Sequence, residues 1–455
     1  MGIPIPLAAA IVLAASLWHT TERVWAAPIG PLPSNNPSSS AAESSLSDQV
    51  PELEKAITAF RQNDLPDALR WLEEAHQRRR ELAPAEVLLA NMLFSEDQPE
   101  RGREVLEQAA VKHPTDPEPH LIFGDLAFRQ RRFSDAQVQY ERGRQLTTTF
   151  AGSSKRQREL EIRALAGMAS VAEARGQFPA AHELLSALLK LEPQHPQAHF
   201  RLGNVLFALS RPEEALAEFQ AAAAVFEAAP SPMLTLAELY RQAGNIDQAE
   251  RWISRAIQES PDDLRAQLTM ARWLLDVHND PQAALPFVDR AAQINPDSPE
   301  VPLLRGVIAW CQGDHAQAEQ IFESLALKQP SNTQASNYLA AVLAEQNDAD
   351  RRQRAWEMVQ LTAANSPHTV ENAATVGWVS YHVGELERAE QELQRATAAD
   401  GAGRDARYYS ARTLFRRGEI AKAQRALQQA LEADGPFIHL REARQWQREL
   451  GEPGK

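Results

Sequence analysis

Cysteine is nearly missing from this chain. One thiol, Cys311, in 455 residues excludes any disulfide within the chain and leaves the redox compartment unmarked. Paired-cysteine metal motifs, a glycine-rich phosphate loop and a Gly-x-Ser-x-Gly nucleophile elbow are all absent. His182-Glu183 begins a zinc-protease motif, but Ser186 stands where the second histidine belongs. His195 and His199 are four apart with Pro196 at a helix start between them, a poor metal pair, and the glycines Gly401 and Gly403 belong to a loop and follow no strand. Positive charge is in deficit: 47 Lys and Arg face 61 Asp and Glu, a net charge of -14 that repels phosphate backbones. Alternating strand-like patterns are missing after residue 50.

Long apolar runs are scarce as well. The one at residues 4–18, PIPLAAAIVLAASLW, has 15 residues, short of the roughly 20 needed to span a bilayer. Val24-Trp25-Ala26 places small residues where a signal peptidase reads them, so residues 1–26 are expected to be a signal peptide cleaved after Ala26. No cysteine near that position can carry a lipid, and retention of the run as a membrane anchor is the alternative. Residues 27–49 are rich in Pro, Ser and Asn and read as a flexible linker.

What is present is a period. Small residues stand at Ala56, Ala90, Gly124, Ala169, Gly203, Ala237, Ala271, Gly306, Ala340, Gly377 and Ala411, mostly 34 apart. A second series, Ala68, Gly102, Ala136, Ala181, Ala215, Ala249, Ala284, Ala318, Ala355, Ala389 and Ala423, keeps nearly the same gaps. Four residues beyond each lies a bulky apolar side chain, from Leu72 and Leu106 to Phe322 and Leu427. Glycines such as Gly176, Gly313 and Gly384 mark a mid-unit turn, and prolines such as Pro193 and Pro330 close units. Within each period apolar residues recur at three and four, so each unit is a pair of helices packed through small side chains.

This unit resembles the tetratricopeptide repeat (TPR), a 34-residue helix-turn-helix. Gly306, Ala318 and Pro330 match its eighth, twentieth and thirty-second positions. The resemblance implies an all-α fold, a right-handed α-solenoid of about eleven repeats. Repeats one to three occupy 49–150, an insertion covers 151–161, repeats four to eleven occupy 162–436, and a capping helix and tail fill 437–455. Phe437, Leu440 and Trp446 are expected to cover the core's end. The tryptophan usual near the fourth position is missing, and a second insertion precedes Ala355.

Positions 2, 5, 9, 12 and 13 of such repeats usually face the concave groove, where partner segments bind. Mapped onto this chain they give Asn204, Phe207, Arg241, Arg272, Trp310, Trp378, Tyr381, Tyr408, Arg412 and Arg416 as candidate partner-binding residues, with Asn91, Phe94, Asp125, Phe128 and His382 beside them. Aromatic rings beside arginines are the types enriched in binding hot spots, although aromatic residues at helical spacing serve equally as core. Cys311 reads as a semi-buried small residue and His315 as a solvated turn residue. The expected role is a non-catalytic interaction scaffold of the bacterial periplasm or cell envelope, with protein partners, no cofactor, no metal and no nucleic acid. The alternatives are an accessory factor for an envelope enzyme or carbohydrate-handling system, and a membrane-anchored assembly factor.

Overall fold

A computed structural model describes residues 51–226, 229–365, 369–398, 402–433 and 435–451. The apolar run at 4–18, the cleavage position after Ala26 and the linker at 27–49 lie outside the described residues. Helix α1 (Pro51–Arg61) is followed by α2 (Leu65–Arg78), α3 (Ala85–Ser95), α4 (Pro99–Lys112), α5 (Glu118–Arg129), α6 (Phe133–Thr147), α7 (Ser154–Ala174), α8 (Phe178–Leu191), α9 (Pro196–Ala208), α10 (Pro212–Val225), α11 (Pro232–Gln242) and α12 (Ile246–Glu259). Then come α13 (Leu264–Asp276), α14 (Pro281–Ile294), α15 (Glu300–Cys311), α16 (His315–Lys328), α17 (Thr333–Glu345), α18 (Ala349–Asn365), α19 (Val370–Val383), α20 (Leu386–Ala398), α21 (Arg404–Arg416), α22 (Ile420–Glu432) and α23 (Leu440–Gly451). No strand occurs among the described residues, and no helix there is long and apolar enough to cross a membrane.

The chain divides into two compact units, Met1–Ala249 and Glu250–Lys455. Within each, consecutive helices pair and each hairpin packs on the next. The period explains the pairing. Every alanine of the two small series is at most 3 % exposed. At four of the eighth positions a glycine meets a large side chain sixteen residues later. A Cβ on Gly306 would sit 2.4 Å from Phe322, and one on Gly203 2.5 Å from Phe219. Gly124 with Tyr140 and Gly377 with Leu393 repeat the contact. The missing side chain is what lets the two helices touch.

Several helix starts are capped by a side-chain acceptor. The Asp314 side chain accepts from the Gln317 N–H at 3.0 Å, and the Thr369 hydroxyl from the Asn372 N–H at 3.1 Å. The turns between paired helices need one residue in the left-handed region. Gly176, Gly244, Gly313, Gly384 and Gly418 supply it as expected, but Asn63, Asp97, Arg131, Ser210 and Asn279 hold the same kind of conformation in other repeats.

Both insertions become helix. Residues 154–161 form the first turns of α7, which reaches 21 residues, and the extra residues before Ala355 lengthen α18 to 17. Arg156, which the insertion contributes, donates to both carboxylate oxygens of Asp116 at 2.9 and 3.1 Å and to Glu118 at 2.8 Å.

Candidate functional site

The last repeats of the second unit converge on one buried carboxylate. Glu345 ends α17, and its side chain is only 10 % exposed. Oε1 accepts from Trp378 Nε1 and from His439 Nε2, both at 2.7 Å. Oε2 accepts from Trp310 Nε1 at 2.7 Å and from His315 Nε2 at 3.1 Å. Four ring N–H groups from four separate segments thus meet on one side chain. Burial pushes Glu345 up, but the charge of His439 and the hydrogen bonds from His315, His439 and Trp310 outweigh it and hold the carboxyl well below its usual range.

His439 is the counter-charge. It lies in the turn before α23, and its Nδ1 donates to Asp405 Oδ1 at 2.6 Å. Burial opposes the cation, yet the Glu345 charge and the hydrogen bonds to Asp405 and Glu345 raise it from the ordinary 6.5 to about 10. Around the ring stand Tyr408, stacked at 5.3 Å and 18°, and the edge-on rings of Trp310, Trp378 and Tyr409 at 5.2–5.7 Å. Asp405 also accepts the backbone N–H groups of Ile438 and His439 at 3.0 and 3.2 Å, so it caps the entry turn of α23 from another helix. Arg404, buried beneath, donates to the carbonyls of Ala430, Leu431 and Gly435 and lies over the Phe437 ring.

A carboxylate–imidazole–carboxylate chain suggests acid–base chemistry, but here both ring nitrogens of His439 are engaged. Neither is free to exchange a proton with a substrate. The Cys311 thiol is pushed up to about 12 by burial, far from a nucleophile's range, in keeping with its reading as a semi-buried filler. Among the described residues no group of three or more His, Cys, Asp or Glu could hold a metal ion.

The sequence-predicted residues separate into two classes. Trp310, Trp378 and Tyr408 are 3–4 % exposed and belong to this core, which corrects their expected place on an open groove. Trp378 is sandwiched between Tyr409 at 4.1 Å and Tyr381 at 5.1 Å. The half-buried Arg412 lies 4.9 Å over Trp446, and the exposed Arg416 lies 5.1 Å over Tyr381. His315 is half-buried on Glu345, where a solvated turn residue was expected. Arg272 is exposed and paired with Glu300. In the first unit Phe207 is buried edge-on against Tyr240 at 4.8 Å, Arg241 is exposed beside Glu238, and Asn204 is half-buried with Oδ1 unbonded.

The first unit carries a different arrangement at comparable positions. Arg163 donates to Asp125 at 2.7 Å, and Tyr140 donates to the other Asp125 oxygen at 2.7 Å. Arg201 donates from Nε to Glu173 at 3.1 Å, and from Nη2 to Ser170 and the Ala166 carbonyl. With Arg156, Asp116 and Glu118 these form a ladder of charge that links successive repeats.

Sequence models of the tetratricopeptide repeat match residues 52–74, 167–231, 206–273, 278–343 and 405–429, in both units. The chain is a tetratricopeptide-repeat protein. The TPR repeat-containing protein PA4667 of Pseudomonas aeruginosa is 24% identical over 199 residues, 44% of this chain and 33% of the relative. Protein KINESIN LIGHT CHAIN-RELATED 1 of Arabidopsis thaliana is 22% identical over 205 residues, 39% of this chain and 34% of the relative. This TPR chain thus spans about a third of the length of the curated relatives it matches. A solved tetratricopeptide repeat protein of Parabacteroides merdae is 18% identical, covers 56% of this chain and 98% of its own, and has a TM-score of 0.40.

TPR numbering explains the residues that sequence reasoning missed. Glu345 is position 13 of the ninth repeat and Asp405 position 2 of the eleventh, both among the positions expected to face a ligand. In the sequence nothing sets them apart from the chain's other 59 acidic residues, of 61 in all. His439 lies beyond the last repeat, where the period gives no signal.

Proposed function

We propose that this TPR protein is a non-catalytic interaction scaffold, exported to the bacterial periplasm or cell envelope, that holds segments of partner proteins against the groove positions of its repeats. One observation carries the reading. The groove positions of the last repeats already hold a peptide segment, the chain's own entry turn and helix α23, through a backbone-capping carboxylate, an aromatic box and a buried counter-charge. This is recognition chemistry of the helix-in-groove kind. The reading with carbohydrate stacking on Trp310, Trp378 and Tyr408 is disfavoured, because those rings face each other and His439.

Export rests on the apolar run at 4–18 and the small residues before Ala27. The test has two parts. Cell fractionation with N-terminal sequencing is expected to find the chain in the envelope fraction, starting at Ala27; a cytosolic chain retaining Met1 refutes export. Residues 27–455, immobilised and exposed to the envelope extract of the source cell, are expected to retain the same few proteins reproducibly. Retention of none above a blank matrix refutes the scaffold reading.

A further inference from the structure

The C-terminal helix is seated the way a TPR ligand would be. In the turn that leads into it, the N–H groups of Ile438 and His439 point at a carboxylate of the eleventh repeat, Asp405. One face, Leu440, Ala443 and Trp446, is buried, while Arg441, Arg444, Gln445 and Arg448 stay exposed. Phe437 packs at 6.0 Å on Tyr408, and His439 fills the ring-lined space above Glu345. The chain reaches this helix from the last repeat through the short stretch after Glu432, with Gly435 in the left-handed region. Glu345 is 94 residues away from the histidine that satisfies it. A carboxylate so buried, toward which Trp310, Trp378 and His315 of the repeats already donate, is completed by the imidazole that the entry turn brings as fourth donor.

We propose that the face of repeats eight to eleven is a binding site for an amphipathic helix entered by an aromatic–x–histidine turn, and that residues 436–446 fill it as a built-in occupant. The inference rests on the scaffold reading and names one of its sites and the partner class: a helical segment with the same entry turn and an apolar face. Tethering gives the internal helix an effective concentration of about millimolar, so it dominates until a partner exceeds that. The face is therefore closed in the free protein, which explains why its rings are buried.

The probe is a fluorescein-labelled peptide of residues 435–451, read by anisotropy. The full-length F437A/H439A variant is expected to bind it one to one, and wild type at least about 100-fold more weakly. The same probe carrying His439→Ala is expected to lose at least tenfold. In case the double variant fails to fold, a protease site inserted at Gly435 leaves the receptor face unchanged. After cleavage, the folded full chain is expected to exchange its own tail for the labelled peptide but not for the His439→Ala peptide. The proposal is overturned if the folded double variant ignores the probe, if both probes bind alike, or if the cleaved chain fails to exchange in 100-fold excess. Partner capture that persists while the probe fails removes this site and leaves the scaffold reading. Probe binding without any captured partner keeps the site and removes the scaffold reading.

Discussion

In the first unit, successive repeats are joined by charge: Arg163 at position 2 with Asp125 at position 9, Arg201 at position 6 with Glu173 at position 12, and Arg156 from the lengthened α7 with Asp116 and Glu118. In the second unit, positions 2, 5, 9, 12 and 13 bring Asp405, Tyr408, Trp378, Trp310 and Glu345 around a single imidazolium. Both faces are built from the same repeat, yet they divide the electrostatic work differently. A ladder of ion pairs spreads charge over many members, so each can lose a partner and keep another; Arg163, for example, also reaches Glu118 at 3.5 Å. The aromatic box concentrates it in a ring-lined interior on Glu345 and His439, so the loss of Glu345 leaves His439 with Asp405 alone and the loss of His439 leaves Glu345 with His315 alone among its imidazoles.

Breaking the box is therefore expected to cost most. Glu345→Ala leaves Trp310 and Trp378 without their acceptor and His439 with Asp405 alone, and unit two should lose about 3–5 kcal/mol. Asp125→Ala in unit one should lose about 1–3 kcal/mol, because Arg163 keeps Glu118 and the buried Tyr140 hydroxyl alone loses its acceptor. Hydrogen exchange read by mass spectrometry resolves the two units separately. Equal losses would show that the concentration of charge has no energetic meaning. The hairpin crossing is common to both units and comes next: Ala318→Leu should overpack it and cost about 1–3 kcal/mol of unit-two stability, visible in urea unfolding. An unchanged urea midpoint would show that this crossing has slack.

pH sharpens the same contrast. His439 is raised, so its contribution is complete below 6.5 and is lost as pH climbs through about 10. Tyr408 and Cys311 are pushed up to about 12 and burial raises Tyr409 well above its ordinary value, so they stay silent on that limb, while His315, raised by its hydrogen bond to Glu345, adds a contribution that is complete below 6.5 and lost early in the same rise. On the acid side the signs reverse. Glu345 is lowered, so its contribution holds above the ordinary carboxylate value of 4.5 and fades as pH falls through its lowered value. His382, depressed to about 4 by burial, adds stability that is complete above 6.5 and lost as pH falls toward 4. Thermal melts from pH 7 to 10 should show unit two weakening, and His439→Ala should flatten that limb. A limb that survives the substitution would assign it to another group.

The period made the fold legible before any coordinates. Alanine and glycine series 34 apart are a packing record, because a hairpin that lacks a side chain at the crossing writes the same residue into every copy. The left-handed turn was half legible: glycine announced it in five repeats, while Arg131 and Ser210 hid it. The candidate face was least legible. Trp310, Trp378 and Tyr408 were found by register, but their burial depends on a segment outside the register. His439 reaches Glu345 across 94 residues, and no local pattern encodes such a contact.

The smallest expected effect concerns those hidden turns, and it too separates the units. Four of the five non-glycine residues held in the left-handed region, Asn63, Asp97, Arg131 and Ser210, lie in unit one. Asparagine and aspartate tolerate that region, but Ser210, at φ 60°, carries strain of about 1–2 kcal/mol. Glycine would relieve it while adding freedom to the unfolded chain worth about 0.4–1 kcal/mol. Ser210→Gly should therefore stabilise unit one by about 0.5–1 kcal/mol, and Gly176→Ala, at φ 68° with open space around it, should destabilise it for backbone reasons alone. If Ser210→Gly lowers the unfolding midpoint of unit one, the serine contributes something beyond its backbone, and the turn is more than a compromise between sequence drift and a fixed hairpin geometry.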